Sequence, residues 1–260
     1  MGSMDRVDAQ VIMAEVLGVN RAWIAANPMR ILTESEDAKI DMLATQRALG
    51  QPIAYLLRRR EFYGRDFTVN ADVLIPRPET ETLIEASLPR LGPRASCLDL
   101  GTGSGAIALA IKRLSPAARV TATDASAAAL AVARRNAEHN GVAIEIVEGS
   151  WWAAVEARRF DIAVANPPYV AAGDPHLAEL RHEPRAALTP GGDGLGALRT
   201  IAAGAPDHLF AGGWLIVEHG FDQGASVRDL LAEAGLVAIE TRCDLAGLER
   251  ATAGRLTSTA

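Results

Sequence analysis

The sequence predicts an α/β fold, a parallel Rossmann-like sheet preceded by a small helical bundle and a β-hairpin. Three observations carry this expectation. From Ala95 onward, short apolar runs alternate with helical patterns, as crossover-connected parallel strands require. The first run leads into a glycine-rich turn, Gly101-Thr102-Gly103-Ser104-Gly105, which opens a helix. A later run, Phe160 to Ala165, stops at Asn166-Pro167-Pro168-Tyr169, where two prolines cannot continue a strand.

The elements before the sheet follow from helix spacing and end signals. Val7, Val11, Ala14 and Leu17 recur at helical intervals, and Gly18 supplies a stop. Arg21 to Ala26 reads as a second helix ended by Asn27-Pro28. Thr33 and Glu36 form a capping box for a third, whose apolar face is Ile40, Leu43, Ala44 and Ala48. Gln51-Pro52 starts a short fourth helix. Arg58-Arg59-Arg60 reads as a solvated face, with an acidic partner as the competing reading. Glu61 to Asn70, aromatic and β-branched around Gly64, predicts a hairpin. Pro76-Arg77-Pro78 makes a stiff lead into a helix from about Glu79. Glu79 or Arg77 would gain a functional role only by pointing into a ligand cleft.

In the sheet region, strands are expected at Ser96–Leu100, Arg119–Thr123, about Ala143–Val147, Phe160–Ala165, Gly213–Glu218 and Leu236–Thr241. Helices fall at Ala106–Leu114, Ser126–Asn140, Gly196–Leu209 and Phe221–Ala234. Val170 to Pro190 reads as an irregular loop able to shape a substrate entrance. Leu248–Thr252 is expected to add an edge strand.

Bulk properties narrow the function. The chain has 260 residues, 49% hydrophobic and 22% charged, with a net charge of −6. It is globular, and its acidic balance weighs against holding a phosphate backbone. Cys97 and Cys243 lack metal or redox spacing. No metal is expected. No apolar stretch reaches membrane-spanning length, and no secretory pattern is present, so a cytoplasmic protein is expected. Met1-Gly2-Ser3 ahead of Met4 reads as an expression remnant.

The motifs suggest a ligand. Glycines let a backbone approach a ligand at the first strand–helix turn. Asp124, roughly 20 positions after that turn, is placed to accept from ribose hydroxyls. Dinucleotide enzymes share this opening, but Asp99 stands two residues ahead of Gly101, where it would repel a pyrophosphate and could hold an ammonium group. A nucleoside with an amino-acid tail, such as S-adenosylmethionine, fits. Trp151 would lie beside the adenine, or be a core tryptophan. Asn166 and nearby carbonyls offer acceptors for a planar NH2 group on which Tyr169 could stack; a packed Pro-Pro turn is the competing reading.

Together, Asp99 to Gly105, Asp124, Asn166 to Tyr169 and Ile75-Pro76-Arg77-Pro78-Glu79-Thr80-Glu81 resemble the HemK-type release factor glutamine methyltransferases. Gln51 to Leu57, Arg60-Glu61-Phe62, and Glu218-His219-Gly220 before Gln223-Gly224 extend the resemblance over nearly the whole chain. It implies a class I S-adenosylmethionine-dependent methyltransferase domain at 76–260, a hairpin linker at 61–75 and a helical substrate-recognition domain at 1–60. It implies methyl transfer to the side-chain amide nitrogen, N5, of the Gln in the Gly-Gly-Gln motif of class 1 peptide chain release factors, with S-adenosylhomocysteine as product.

Cofactor contacts would fall on Asp99, Gly101, Thr102, Gly103, Ser104, Gly105, Asp124, Trp151 and Asn166, and substrate contacts on Asn166, Pro167, Pro168 and Tyr169. Asn166, Pro167 and Tyr169 would be catalytic, since an amide nitrogen needs orientation and hydrogen-bond acceptors rather than a strong base. No histidine is placed in the mechanism. The chain departs from the family's pattern at Arg58-Arg59, where Gly-Glu is frequent, and at Ser150, where an Asp often precedes the Trp. No nucleic acid or membrane partner is expected, and a monomer is. The rival readings are a ribosomal-protein glutamine methyltransferase, an adenine-N6 DNA methyltransferase and a non-catalytic S-adenosylmethionine-binding protein.

Overall fold

A computed structural model of the chain describes residues 5–257; Met1-Gly2-Ser3 lies outside them. The chain divides between Arg59 and Arg60 into two compact units. The first contains α1 (Arg6–Leu17), α2 (Arg21–Ala26), α3 (Glu34–Ala48) and α4 (Ile53–Leu56). Local chemistry sets their ends. Asp5 and Asn20 cap α1 and α2 by accepting from backbone N–H groups, and Gly18 closes α1 with φ 65°. The Thr33–Glu36 capping box forms as expected. Helix α1 packs on α3, burying Ile12, Ala14 and Leu43, and Arg47 pairs with Asp8 at 2.6 Å.

The second unit begins with a hairpin, β1 (Arg59–Phe62) and β2 (Arg65–Thr68). Its two-residue turn, Tyr63-Gly64, has positive φ at both positions (48° and 72°), whose twist suits a tight hairpin. The hairpin belongs to the core of this unit. Phe62 and Phe67 meet edge to face and pack with Leu83, Ile84 and Ile107. Thr68 N–H donates to Asn136 Oδ1 at 2.7 Å, and Asn136 Nδ2 donates back to the Thr68 carbonyl at 3.0 Å.

A 3-10 turn at Pro78–Thr80 leads into α5 (Glu81–Ser87). Then come β3 (Ser96–Leu100), α6 (Ala106–Leu114), β4 (Arg119–Asp124), α7 (Ala127–Asn140), β5 (Glu145–Glu148) and β6 (Phe160–Ala165). Two short turns of helix, α8 (His176–Glu179) and α9 (Arg185–Leu188), lie in the stretch read as an irregular loop. The chain continues through α10 (Gly196–His208), β7 (Leu209–Glu218), α11 (Gly224–Glu233), β8 (Leu236–Cys243) and β9 (Glu249–Leu256).

Seven strands form one sheet in the order β5-β4-β3-β6-β7-β9-β8. Strands β5 through β7 are parallel, and β9 runs antiparallel to both β7 and β8. This corrects the expectation of an edge strand at the C-terminal end. The segment is longer, and β9 inserts between β7 and β8, leaving β8 outermost. Ala251, Thr252 and Ala253 are buried there, and their small side chains suit the interior of the sheet. Separate apolar clusters cover the two faces of the sheet. From β3 the chain winds outward through β4 and β5, then returns to β6 on the other side of β3. The carboxyl ends of β3 and β6 therefore flank a topological switch point, where open α/β sheets bind ligands.

Candidate active site

Two turns meet at that switch point, one after β3 and one after β6. The first is pinned by backbone bonds. Thr102 N–H donates to the Thr123 carbonyl at 2.8 Å, and Gly149 N–H to the Asp124 carbonyl at 3.0 Å. Gly101, Gly103 and Gly105 have φ of 72°, 55° and 82°, a left-handed path that any side chain would strain. At Gly103 a β-carbon would meet nothing within 4 Å, so the backbone faces open space.

That space is a cavity of about 420 Å³, a volume suited to a small ligand. Gly101 to Ser104 and Asp124 form one wall, Trp151 and Ser150 another, and Asn166 with Pro168 the end toward the second turn. Val73, Leu74, Pro184 and Ala187 add apolar lining. Among the described residues, Asp99, Gly105, Pro167 and Tyr169 do not line the cavity.

Asp99 lies beneath the turn, fully buried. Its Oδ2 accepts from Thr102 Oγ1 at 2.6 Å and from Ala108 N–H at 3.2 Å, while Oδ1 is buried with no partner. Burial pushes its carboxyl up to about 7, against the hydrogen bonds that favour the charged form. Asp124 spans the rim. Its Oδ2 accepts from Gly103 N–H at 2.9 Å and its Oδ1 from Ser126 N–H at 2.9 Å. Each oxygen keeps a lone pair for a further donor.

The two adjacent tryptophans divide their tasks, which the sequence left open. Trp152 is a core residue, donating to the Ile201 carbonyl at 3.0 Å and stacking on His208. Trp151 faces the cavity, and its φ of 46° is strained for an aromatic residue. The crowded backbone around it holds that geometry, since a β-carbon on Gly149 would stand 2.7 Å from Ala154 Cα.

At the second turn, Asn166 Nδ2 donates to Thr80 Oγ1 at 3.1 Å. The planar amide thus turns its nitrogen to Thr80 and keeps Oδ1 on the opposite edge. Tyr169 donates to Glu218 Oε1 at 3.1 Å, and its carbonyl accepts from Gln223 Nε2 at 2.9 Å. Burial and the adjacent Glu218 raise the Tyr169 pKa, so its hydroxyl stays protonated and serves as a donor.

Arg77 takes a structural place. Arg77 pairs with the buried Glu183, which also accepts from Ile75 N–H at 3.0 Å, tying the segment before α5 to the loop after β6. Thr80, Glu183 and Glu218 had no assigned site role in the sequence. Thr80 and Glu218 lie inside quoted motifs, but only the approach of separate elements reveals their bonds to Asn166 and Tyr169. His219 is buried, with Nε2 2.8 Å from Thr252 Oγ1, a structural setting.

Comparison with known proteins adds to this geometry. Residues 79–195 match the family described as Methyltransferase small domain, and residues 3–57 match the PrmC N-terminal domain. A release factor glutamine methyltransferase from Xylella fastidiosa is 51% identical over 257 residues, covering 97% of this chain and 94% of its own length. One from Bordetella pertussis is 48% identical over 258 residues, covering 97% and 96%. Among solved structures, a methyltransferase from Pyrococcus furiosus aligns with a TM-score of 0.60 at 19% identity, over 83% of this chain and 98% of its own. A T. thermophilus 16S rRNA methyltransferase in complex with AdoMet and guanosine aligns at 0.55 and 21% identity, over 76% and 49%. At such identities the structural likeness establishes the fold, that of class I methyltransferases. The sequence identity, sustained over almost the full length, shows that the chain belongs to the release factor glutamine methyltransferase family.

Proposed function

We propose that this protein methylates N5 of the Gln in the Gly-Gly-Gln motif of class 1 peptide chain release factors, using S-adenosylmethionine, in the cytoplasm. The observation that carries the reading is the Asn166 amide. It sits at the end of the cavity with its nitrogen held by Thr80 and its oxygen left as an acceptor. An amide acceptor for an amide substrate, set beside a nucleoside-sized cavity, is what this transfer requires.

The residues fit the cofactor. The partnerless Asp99 Oδ1, beneath the turn, suits the ammonium of an amino-acid tail reached through water. Asp124 suits ribose hydroxyls, and the Trp151 ring suits an adenine face. Bound there, S-adenosylmethionine supplies an electrophilic methyl on a sulfonium.

The protein's own part is orientation. A Gln amide nitrogen is a weak nucleophile because its lone pair is delocalised into the carbonyl. Asn166 Oδ1 and the Pro167 carbonyl accept its two hydrogens, fixing the nitrogen, and hold it more strongly as positive charge develops. Tyr169 stacks on the planar amide. The buried surroundings strengthen each of these contacts.

The test is transfer of labelled methyl from S-adenosylmethionine. Label is expected on a class 1 release factor, and Gln→Ala in its Gly-Gly-Gln should abolish it. Label on a ribosomal protein or on DNA instead overturns the reading.

A further inference from the structure

Tyr169 is held at both ends by the chain at and just after the end of β7. Its Oη donates to Glu218 Oε1 at 3.1 Å, and its main-chain carbonyl accepts from Gln223 Nε2 at 2.9 Å. Gln223 is itself anchored. Its N–H donates to the Gly220 carbonyl at 2.9 Å, and its carbonyl accepts from Val227 N–H at 3.0 Å, opening α11. Its side-chain Oε1 accepts from Gly220 N–H at 2.9 Å. A β-carbon on Gly194 would collide with the Tyr169 carbonyl oxygen and stand 3.0 Å from Gln223 Nε2, so a bare glycine closes over this bond.

The two ends of the Gln223 amide have different tasks. A backbone N–H only donates and a carbonyl only accepts, so the amide oxygen must face Gly220 and the amide nitrogen must face Tyr169. A primary amide meets both demands from one plane. A carboxylate of the same shape cannot, because it only accepts. Between Asn166 and Tyr169 the chain has little freedom, since Pro167 and Pro168 each restrict φ. Gripping the Tyr169 carbonyl therefore fixes where this stiff turn ends, and gripping the hydroxyl fixes how the ring is set. We propose that Gln223 is a positioning residue for methyl transfer, holding the Tyr169 carbonyl so that, with Glu218 on the hydroxyl, the ring stands where it stacks on the substrate amide. The inference rests on the function proposed above.

Loosening this hold acts on the substrate side of the site. Among the described residues, neither Tyr169 nor Gln223 lines the cavity suited to S-adenosylmethionine. Tyr169 packs instead against the apolar cluster that includes Ala165 and Val217. A stacking ring helps only where it meets the substrate amide at contact distance, and a misplacement of about 1 Å can cost about 10²-fold in rate. The loss belongs in turnover and not in cofactor binding.

Gln223→Glu keeps the shape and the acceptor for Gly220, but turns a carboxylate oxygen on the Tyr169 carbonyl. At pH 8 a half-buried carboxylate is charged. With release factor and S-adenosylmethionine both saturating at that pH, the variant should lose about tenfold or more in kcat, with the KM for S-adenosylmethionine within about twofold. Gln223→Met removes both side-chain bonds from a similar volume without adding a charge. It should also lose kcat, and it covers the case in which Gln223→Glu fails to fold. The double variant separates positioning from a merely structural role. Once Tyr169→Ala has removed the ring, adding Gln223→Glu or Gln223→Met should change kcat by less than about twofold, because residues that act as a unit are not additive. Equal fractional losses with and without the Tyr169 ring, or a folded single variant with wild-type kcat, overturn the inference. Absence of label on the release factor with the wild-type protein overturns instead the function on which it rests.

Discussion

A β-carbon placed on Gly101 would stand 3.2 Å from Trp151 Cζ3, so the glycine turn and the tryptophan ring are fitted to each other. The close approach sets the width of the cavity between them. Gly101→Ala meets two obstacles, the ring and a φ of 72°, the latter costing about 1–2 kcal/mol. The variant is expected to melt several degrees lower and to bind S-adenosylmethionine at least tenfold more weakly, read by calorimetry. Trp151→Ala should weaken binding by roughly 5- to 150-fold, the range for losing ~1–3 kcal/mol of stacking on a base. Trp151→Phe should retain most of the affinity. Equal affinities in all three variants would separate the ring from the adenine.

Asp99 should make cofactor binding depend on pH. Its carboxyl is pushed up to about 7, so the free protein holds it largely neutral below that value. An ammonium partner favours the charged form. The dissociation constant for S-adenosylmethionine should therefore rise by up to about tenfold for each pH unit below 7. The stability of the cofactor-free protein runs the opposite way with pH. A folded pKa raised from 3.8 to about 7 contributes stability at low pH that is lost as pH climbs through that window. Asp99→Asn should remove the loss, leaving the cofactor-free variant at least as stable as wild type at pH 8 while its binding weakens and loses pH dependence. A variant whose affinity still follows pH as the wild type's does would release Asp99 from the ammonium.

Asn166→Ala tests the acceptor directly. Removing one preorganised partner of a developing charge costs roughly 10²- to 10³-fold in turnover. Turnover should fall by about that factor while S-adenosylmethionine still binds. Near-normal turnover would take Asn166 out of the mechanism.

The Arg77–Glu183 pair ties the two chain segments that supply Leu74, Pro184 and Ala187 to the cavity. Arg77→Met leaves Glu183, 3% exposed at its side chain, with the Ile75 N–H as its remaining partner among the described residues. A buried carboxylate stripped of a partner costs on the order of 1–3 kcal/mol. Chemical denaturation should register that loss, and Glu183→Gln together with Arg77→Met should restore part of it. A single variant as stable as wild type would make the pair incidental.

Much of the site was legible because its signals are local. The left-handed glycines, the strand-ending prolines and the carboxylate at the end of β4 each follow from residues close in sequence, and their geometry depends little on what packs around them. The helix caps of the first unit, such as Thr33 with Glu36, are legible for the same reason. Harder were choices between chemically similar neighbours. Trp151 and Trp152 have the same side chain, and only the stacking of Trp152 on His208 and its bond to Ile201 put the other ring at the cavity.

By itself the sequence determined the alternation of strands and helices, the two turns at the carboxyl ends of β3 and β6, and, through its length of shared motifs, the family. Tertiary structure alone decided that β9 lies inside the sheet, that Glu183 braces the cavity wall, that Thr80 holds the Asn166 amide and that Glu218 holds the Tyr169 hydroxyl. The reason is physical. Turns and caps are set by the conformational limits and hydrogen-bonding groups of a few adjacent residues, whereas strand order and buried polar contacts are set by which distant surfaces pack together. Asn166 and Thr80 come from opposite ends of that divide: the first was visible as a motif, and its partner only as a neighbour at 3.1 Å.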